Sequence, residues 1–140
     1  MTIRIEQVEW AAMCTSLSNI RRAVFIDEQA VPEALEWDGV DADCYHLLAF
    51  AGAQAIGTVR MTANGKIGRM AVLSAWRRQG VGQPLLTAIL QLARQTNSSE
   101  VTLDPQAYGI PFYQRSWFEV SSGVFLDAGI EHQTMTLSFV

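Results

Sequence analysis

The sequence is poor in the residues that build disulfide-rich and metal-binding proteins. Among its 140 residues it has two cysteines and two histidines. Cys14 and Cys44 form no CxxC pair and have no histidines at ligand spacing, which argues against a metal site. We expect both thiols to be reduced and mostly buried rather than catalytic.

Positive charge is also scarce, because 10 lysine and arginine residues stand against 14 aspartate and glutamate residues, for a formal net charge of −4. That balance argues against nucleic acid as a partner, since phosphate contacts require a basic surface. No apolar run approaches the roughly 20 residues needed to cross a bilayer, and residues 1–6 do not resemble a signal peptide. We therefore expect a cytoplasmic protein with no membrane partner.

Hydrophobic sequence is abundant, and the apolar periodicity divides the chain into predicted elements. A composition of 49% hydrophobic and 17% charged residues is typical of a globular chain, and the length predicts one domain over residues 1–140. Helical spacing predicts helices over residues 9–25, 80–95 and 110–115. Alternation and short apolar runs predict strands over residues 2–6, 44–51, 54–62, 66–73, 101–104 and 131–140. The Asn64-Gly65 pair predicts a tight hairpin. The order predicts an α/β fold, with a mixed sheet covered by helices.

Residues 27–43 are acidic and are interrupted by Pro32 and Gly39, which predicts a loop or a broken helix. The acids there include Glu28, Glu33, Glu36, Asp38, Asp41 and Asp43. Two interpretations are open: a solvated loop, or a substrate-binding rim that faces a cation.

A glycine-containing loop joins the strand at residues 66–73 to the longest predicted helix. Its residues are Arg77, Arg78, Gln79, Gly80, Val81 and Gly82. Glycines allow close backbone approach, and loop amides at a helix N-terminus form a ready anion site. Arginines add charge-assisted bonds to phosphate. The alternative is a glycine-rich connector with two solvated arginines. A Rossmann site and a Walker loop are disfavoured because neither motif is completed.

Residues 77–82 resemble the [Q/R]xxGxG/A signature of the GNAT N-acetyltransferase superfamily, and further motifs resemble its ElaA/YjcF-like branch. Those motifs are Val24-Phe25-Ile26-Asp27-Glu28-Gln29, Pro32, Glu36, Asp38, Asp41, His46, Lys66-Ile67-Gly68-Arg69-Met70-Ala71-Val72, Leu103, Gln106, Phe112-Tyr113, His132 and Met135. The resemblance spans nearly the whole chain and implies a GNAT-like, mainly antiparallel sheet. It also implies transfer of an acetyl group from acetyl-CoA to the primary amine of a small-molecule or peptide-like acceptor.

The resemblance assigns site residues as well. The strand at residues 66–73 would splay from residues 101–104, so that Met70, Ala71 and Val72 face the pantetheine arm and residues 77–82 hold the pyrophosphate. Gln106, Phe112 and Tyr113 would complete the cofactor site. Tyr113 would protonate the departing thiolate, with Tyr108 as a fallback. The candidate bases are Glu28, His46, Glu36, Asp38 and His132, with Glu28 and His46 placed first.

Two residues depart from the family pattern. Trp117 stands where the FYxxxGF motif has glycine, which predicts strain if that position requires positive φ. Pro105 replaces an alanine and removes an amide donor. These departures keep two rival hypotheses open: an acyl-CoA-binding sensor with a closed acceptor site, and a structural domain without a cofactor. Residues 133–140 form an alternating strand that we expect to be an open edge, available for pairing in a homodimer.

Overall fold

The computed structural model describes residues 2–139. Its α-helices are α1 (Trp10–Arg21), α2 (Glu33–Glu36), α3 (Gly82–Gln95) and α4 (Ile110–Gln114). Its strands are β1 (Ile3–Val8), β2 (Tyr45–Ala51), β3 (Gln54–Met61), β4 (Ile67–Val72), β5 (Glu100–Leu103), β6 (Glu119–Val120), β7 (Phe125–Asp127), β8 (Ile130–His132) and β9 (Met135–Ser138). A π-helix covers Arg22–Glu28, and 3-10 turns cover Asp41–Asp43, Ser74–Trp76 and Ala107–Gly109.

The first four strands form one antiparallel sheet in the order β1-β2-β3-β4. The predicted hairpin joins β3 to β4, with Gly65 at a φ of +87° and its amide donating to the Thr62 carbonyl at 3.0 Å. Helix α3 packs on this sheet and buries Leu85, Leu86 and Ile89 completely. The predicted α/β fold with helices covering the sheet is confirmed, and α3 begins at Gly82 rather than at Gly80.

The first helical segment is longer than its periodicity predicts. Helix α1 ends at Arg21, and the backbone then continues as a π-helix to Glu28, where the amide of Gln29 donates to the carbonyl of Val24 at 3.2 Å. Leu17 and Val24 are buried, as the helical spacing predicts. The wider turn carries Glu28 beyond the predicted helix end at residue 25.

The C-terminal strand differs most from its prediction. Residues 131–140 do not form one strand, because β8 ends at His132 and β9 begins at Met135. Strand β9 lies between β5 and β6 and pairs antiparallel with both. The expectation of an open edge for dimer pairing is therefore wrong at Met135 and Thr136, which already have a strand on either side.

Candidate active site

The loop between β4 and α3 presents a set of backbone amides that no acceptor uses. Arg78 and Gly80 have left-handed φ values of +61° and +77°. None of the turn and loop hydrogen bonds within residues 2–139 is donated by an amide of residues 78–82. Because α3 is a 14-residue helix that begins at Gly82, its positive end adds to these donors. The loop has the geometry of an anion-binding site.

Arg77 is held by protein groups instead of standing free in that loop. Its Nε donates to the Val72 carbonyl at 3.0 Å, and its two terminal nitrogens donate to the Glu28 carboxylate at 2.7 Å each. These hydrogen bonds hold the pKa of Glu28 below its usual value. Arg77, which was expected to bind phosphate, is thus paired with Glu28, which was expected to act as a base. Arg78 has no ion pair among the described side chains and remains the free cation of the loop.

Strand β4 has an open edge beside the loop. Between β4 and β5 the described residues make one parallel bridge, Lys66 with Thr102, and one hydrogen bond from the Thr102 amide to the Gly65 carbonyl at 3.1 Å. No ladder extends from there to residues 70–72 within the described chain. The amide of Leu73 donates to Ile56 on β3, so the strand alternation turns the amide of Val72 toward the open edge. This is the splayed geometry expected for the cofactor strand.

A β-bulge interrupts β4 beside its open edge. The register with β3 shifts between Thr58 and Arg60, and Arg69 on β4 has a φ of +52°. Bulges bend a strand and often lie next to active sites.

Tyr113 reaches this strand from helix α4. Its hydroxyl donates to the Met70 sulfur at 3.7 Å, and its ring packs edge-on against Phe112 and Phe118. Burial raises the pKa of Tyr113 to about 12. A side chain at Gly82 would lie 3.4 Å from the Phe112 ring, so α4 also touches the start of α3. The structure therefore brings Phe112 and Tyr113 of α4 together with Met70 on β4 and Gly82 at the start of α3. Tyr108, the fallback acid, is 75% exposed.

His132 and Gln106 are neighbours just beyond the end of β5. An isolated antiparallel bridge joins their backbones, and Gln133 donates its amide to the Pro105 carbonyl at 3.2 Å. His132 Nδ1 lies 2.7 Å from the Ile130 carbonyl, which accepts hydrogen bonds only. That contact places the proton on Nδ1 of the neutral ring and leaves the lone pair on Nε2.

The acidic segment is an internal ion-pair network and not a rim. Six side chains form a closed ring of ion pairs, which we call the charge ring. Each member pairs with the next in the order Arg21, Glu36, Arg69, Asp38, Arg60 and Asp41, and Asp41 pairs with Arg21. Glu36 and Asp41 are buried, and hydrogen bonds from Arg60 lower the pKa of Asp38 to about 2. Both earlier interpretations, solvated loop and cation-facing rim, are wrong for these three acids.

His46 lies in the core beside this ring. It is 1% exposed, its Nε2 donates to the Asp41 carbonyl at 2.7 Å, and its ring packs 5.4 Å from that of Trp10. Burial lowers its pKa. The expected base role of His46 is therefore replaced by a packing role, because the ring is enclosed and its Nε2 is occupied.

The sequence reasoning missed Arg21, Arg60 and Arg69. A signal was present for Arg21, which follows Leu17 by four residues and so lies on the apolar face of its helix. A charged residue on such a face is buried only when it is paired.

Acid should destabilise the protein in two stages. Unfolded His46 takes up a proton near its usual pKa of about 6.5, whereas the folded ring has a lowered pKa, so stability present above that pH is lost as pH falls. Below pH 3.8 the Asp38 contribution is lost in the same way, down to its folded pKa of about 2. The urea midpoint measured from pH 8 to pH 2 tests this. In His46→Gln the first stage should vanish, and its persistence would assign it to another group.

Trp117 occupies a position built for glycine. Its φ is +75°, its amide donates to Gln114, and the amide of Phe118 donates to the Tyr113 carbonyl, which together form a Schellman cap at the end of α4. The indole is 83% exposed, so it does not close the cleft. The strain predicted from the missing glycine is therefore present in the backbone.

Trp117→Gly should stabilise the protein by about 1 kcal/mol, which raises the Tm by roughly 3 °C, because the left-handed backbone no longer carries a Cβ. Trp117→Ala keeps the Cβ and is the matched control, for which no increase is expected. Calorimetry of both variants measures the difference. An equal gain in both would attribute the effect to removal of the exposed indole.

Residues 2–139 contain neither a candidate metal site nor a candidate membrane span. No group of three histidine, cysteine, aspartate or glutamate side chains there could hold a metal ion. No helix in the same residues is long and apolar enough to span a bilayer.

The fold and this cleft define an acyl-transferring class of protein. A solved acyl-CoA N-acyltransferase from Pseudomonas aeruginosa superposes with a TM-score of 0.86 at 29% identity, covering 96% of this chain and 99% of that one. ElaA from Escherichia coli superposes with a TM-score of 0.86 at 26% identity, with the same coverage of 96% and 99%. The N-acetyltransferase YjcF from Bacillus subtilis is 33% identical over 120 residues, which is 83% of this chain and 86% of that protein.

The family assignment follows from these likenesses together with a family-wide match. The acetyltransferase (GNAT) domain family matches residues 6–139. The chain belongs to the GNAT N-acetyltransferase family, and its likeness to ElaA and YjcF confirms the branch that the motifs indicate.

Proposed function

We propose that this N-acetyltransferase uses acetyl-CoA and acetylates a primary amine of a small-molecule or peptide-like acceptor in the cytoplasm. One observation carries the proposal. The open edge of β4 at residues 70–72 leads to the unused amides of residues 78–82, and the Tyr113 hydroxyl donates to the sulfur of Met70 on that edge. A strand edge followed by an anion site fits a ligand with an amide-bearing arm and a pyrophosphate.

The residues present fit acetyl-CoA in two places. The amides of residues 78–82 and the Arg78 side chain would hold the pyrophosphate, while Gln106 and Phe112 would border the arm. The amide of Val72 faces the open edge and would donate to the arm or to the developing oxyanion. Arg77 has a different role in this proposal: through Glu28 and the Val72 carbonyl it anchors the loop to the π-helix.

In the proposed reaction the acceptor amine attacks the thioester directly. The amine nitrogen bonds to the thioester carbonyl carbon as the carbon–sulfur bond breaks, the amine loses one proton, and the thiolate gains one. Holding both reactants in place supplies about 7–11 kcal/mol of the barrier reduction.

Tyr113 donates a hydrogen bond to the departing sulfur in this scheme. With a pKa of about 12 the phenol is protonated at neutral pH. The intact O–H therefore donates to the sulfur as negative charge develops there.

His132 is the base in this proposal. Its Nδ1–H is fixed by the Ile130 carbonyl, so Nε2 is available to accept the amine proton directly or through water. Glu28 is less suited, because the hydrogen bonds from Arg77 lower its pKa and stabilise its charged form.

An amine panel tests the proposed function. Acetyl-CoA is incubated with the protein and with aliphatic monoamines, polyamines, amino acids and short peptides, and released thiol is measured. At least one class should accelerate thiol release and become acetylated. Binding of acetyl-CoA without turnover on any class would contradict the transferase proposal and favour the binding-module hypothesis.

A further inference from the structure

The charge ring extends from the core to the cofactor strand. Four of its members are almost completely buried, with exposures of 1% for Arg21, 3% for Glu36, 6% for Asp41 and 7% for Arg60. The Asp38 and Arg69 side chains are 32% and 25% exposed, so the ring opens toward solvent on one side. The three positive and three negative charges cancel within the ring, and each charge has two opposite neighbours.

The four links that Arg21 and Arg60 make are short. Arg21 lies 2.8 Å from Glu36 and 2.6 Å from Asp41. Arg60 lies 3.0 Å from Asp41 and 2.8 Å from Asp38. A closed set of charge-assisted contacts of this kind fixes the position of every member, because moving one side chain breaks two contacts.

Arg69 is the member that belongs to the cofactor strand. Its Nε lies 3.0 Å from the Glu36 carboxylate as an ion pair without a hydrogen bond, and a terminal nitrogen lies 3.4 Å from Asp38. That terminal nitrogen also donates to the Glu36 carbonyl at 3.1 Å and to the Leu35 carbonyl at 3.4 Å. The guanidinium is thus clamped by both the carboxylate and the backbone of α2.

The backbone of Arg69 is in a conformation that an L-residue adopts only under constraint. Its φ of +52° lies in the left-handed region, at the bulge where β4 shifts register against β3. Such conformations persist where the surroundings determine them. The next residue, Met70, begins the open edge and contacts the Tyr113 hydroxyl. The clamp on the arginine side chain therefore acts one residue away from the proposed site.

We propose that Arg69 is a positioning residue, whose clamped side chain holds the β4 bulge so that residues 70–72 stay aligned to pair with the pantetheine arm. The inference rests on the proposed function, because it presumes a ligand with such an arm. The loop at residues 78–82, which would bind the pyrophosphate, lies outside this clamp and should not depend on it.

Two ligands separate the arm from the pyrophosphate. Coenzyme A has both, whereas 3′-phosphoadenosine 5′-diphosphate keeps the pyrophosphate and lacks the arm. We would measure the Kd of each by calorimetry for the wild type, Arg69→Gly, Arg69→Lys and, as the matched control, Arg22→Ala. Arg22 pairs with Glu33 in the same acidic segment, but both are on the surface and outside the ring.

Arg69→Gly is the decisive variant, because the clamp is lost while glycine still adopts the left-handed φ without strain. We expect its Kd for coenzyme A to rise about tenfold, while its Kd for the pyrophosphate fragment stays within about twofold. Arg69→Lys should fall between, since a point charge replaces only part of the planar fork. Arg22→Ala should bind both ligands like the wild type.

The results that would overturn the inference are distinct from those that would overturn the function. If Arg69→Gly binds coenzyme A like the wild type, or loses both ligands equally, Arg69 does not position the strand. If Arg69→Gly fails to fold, the same comparison on Arg69→Lys decides: equal binding of both ligands to wild-type levels overturns the inference. If the wild type itself binds neither ligand, the proposed function fails.

Discussion

Tyr113→Phe should lower kcat by about 10²–10³-fold and leave the Kd for acetyl-CoA within about twofold. The change removes one hydroxyl that faces Met70 and leaves the ring between Phe112 and Phe118. A donor aimed at charge that develops in the transition state is worth about this factor, whereas ground-state binding depends little on it. Steady-state kinetics with an acceptor from the amine panel, combined with calorimetry of acetyl-CoA binding, measures both quantities.

Tyr108→Phe is the matched control for this prediction. Tyr108 is 75% exposed, so its hydroxyl should be dispensable. If Tyr108→Phe lowered kcat and Tyr113→Phe did not, the donor role would belong to Tyr108. Because the pKa of Tyr113 is about 12, the wild type should also show no loss of kcat from Tyr113 ionisation below about pH 10.

Arg21→Ala should lower the free energy of unfolding by about 3–5 kcal/mol. Its guanidinium is 1% exposed, pairs with Glu36 and Asp41, and is flanked by the rings of Trp10 and Trp37 at 5.7 and 5.1 Å. Removing one partner of a buried ion pair leaves charge without compensation in a medium that solvates it poorly. Urea unfolding followed by circular dichroism measures the loss.

The neighbouring arginine provides the control. Arg22 pairs with Glu33 at 2.7 Å, but both side chains are about half exposed. Exposed pairs of this kind are well screened by water and contribute little, so Arg22→Ala should change stability far less than Arg21→Ala. Similar losses for Arg21→Ala and Arg22→Ala would mean that burial of the ring does not determine its contribution.

Much of the fold is predictable because the strongest signals are local. The apolar face of α3 repeats at helical spacing over four turns, and the Asn64-Gly65 turn has a backbone requirement that few other pairs meet. The prediction of an open edge at the C-terminal strand was wrong because strand pairing is not a local property. Alternation over residues 131–140 indicates extended backbone, but it does not reveal that β9 lies between two other strands.

In the candidate site, too, local features could be predicted from the sequence and contacts between distant residues could not. The loop at residues 77–82 could be proposed as an anion site from the sequence because its glycines and the following helix are contiguous in the chain. The contact of Arg77 with Glu28 joins residues 49 positions apart, and the links of the charge ring join residues up to 33 positions apart in the chain. A single charged residue in a sequence looks the same whether it is solvated or paired in the core. His46 and His132 likewise differ only in what surrounds them.

Binding of coenzyme A at residues 78–82 is the central claim, and a melting experiment with matched glycine variants tests it most directly. Gly80 and Gly129 have nearly equal φ values of +77° and +76°, and a Cβ at either would meet no atom within 4 Å. Alanine should therefore strain both backbones alike, but only Gly80 lies in the proposed anion site. At a coenzyme A concentration 100-fold above the wild-type Kd, the Tm of the wild type and of Gly129→Ala should each rise by about 9 °C. The rise for Gly80→Ala should be about 5 °C, which corresponds to a tenfold weaker Kd. Equal shifts in all three proteins would place the ligand elsewhere, and no shift in the wild type at saturating coenzyme A would contradict the account.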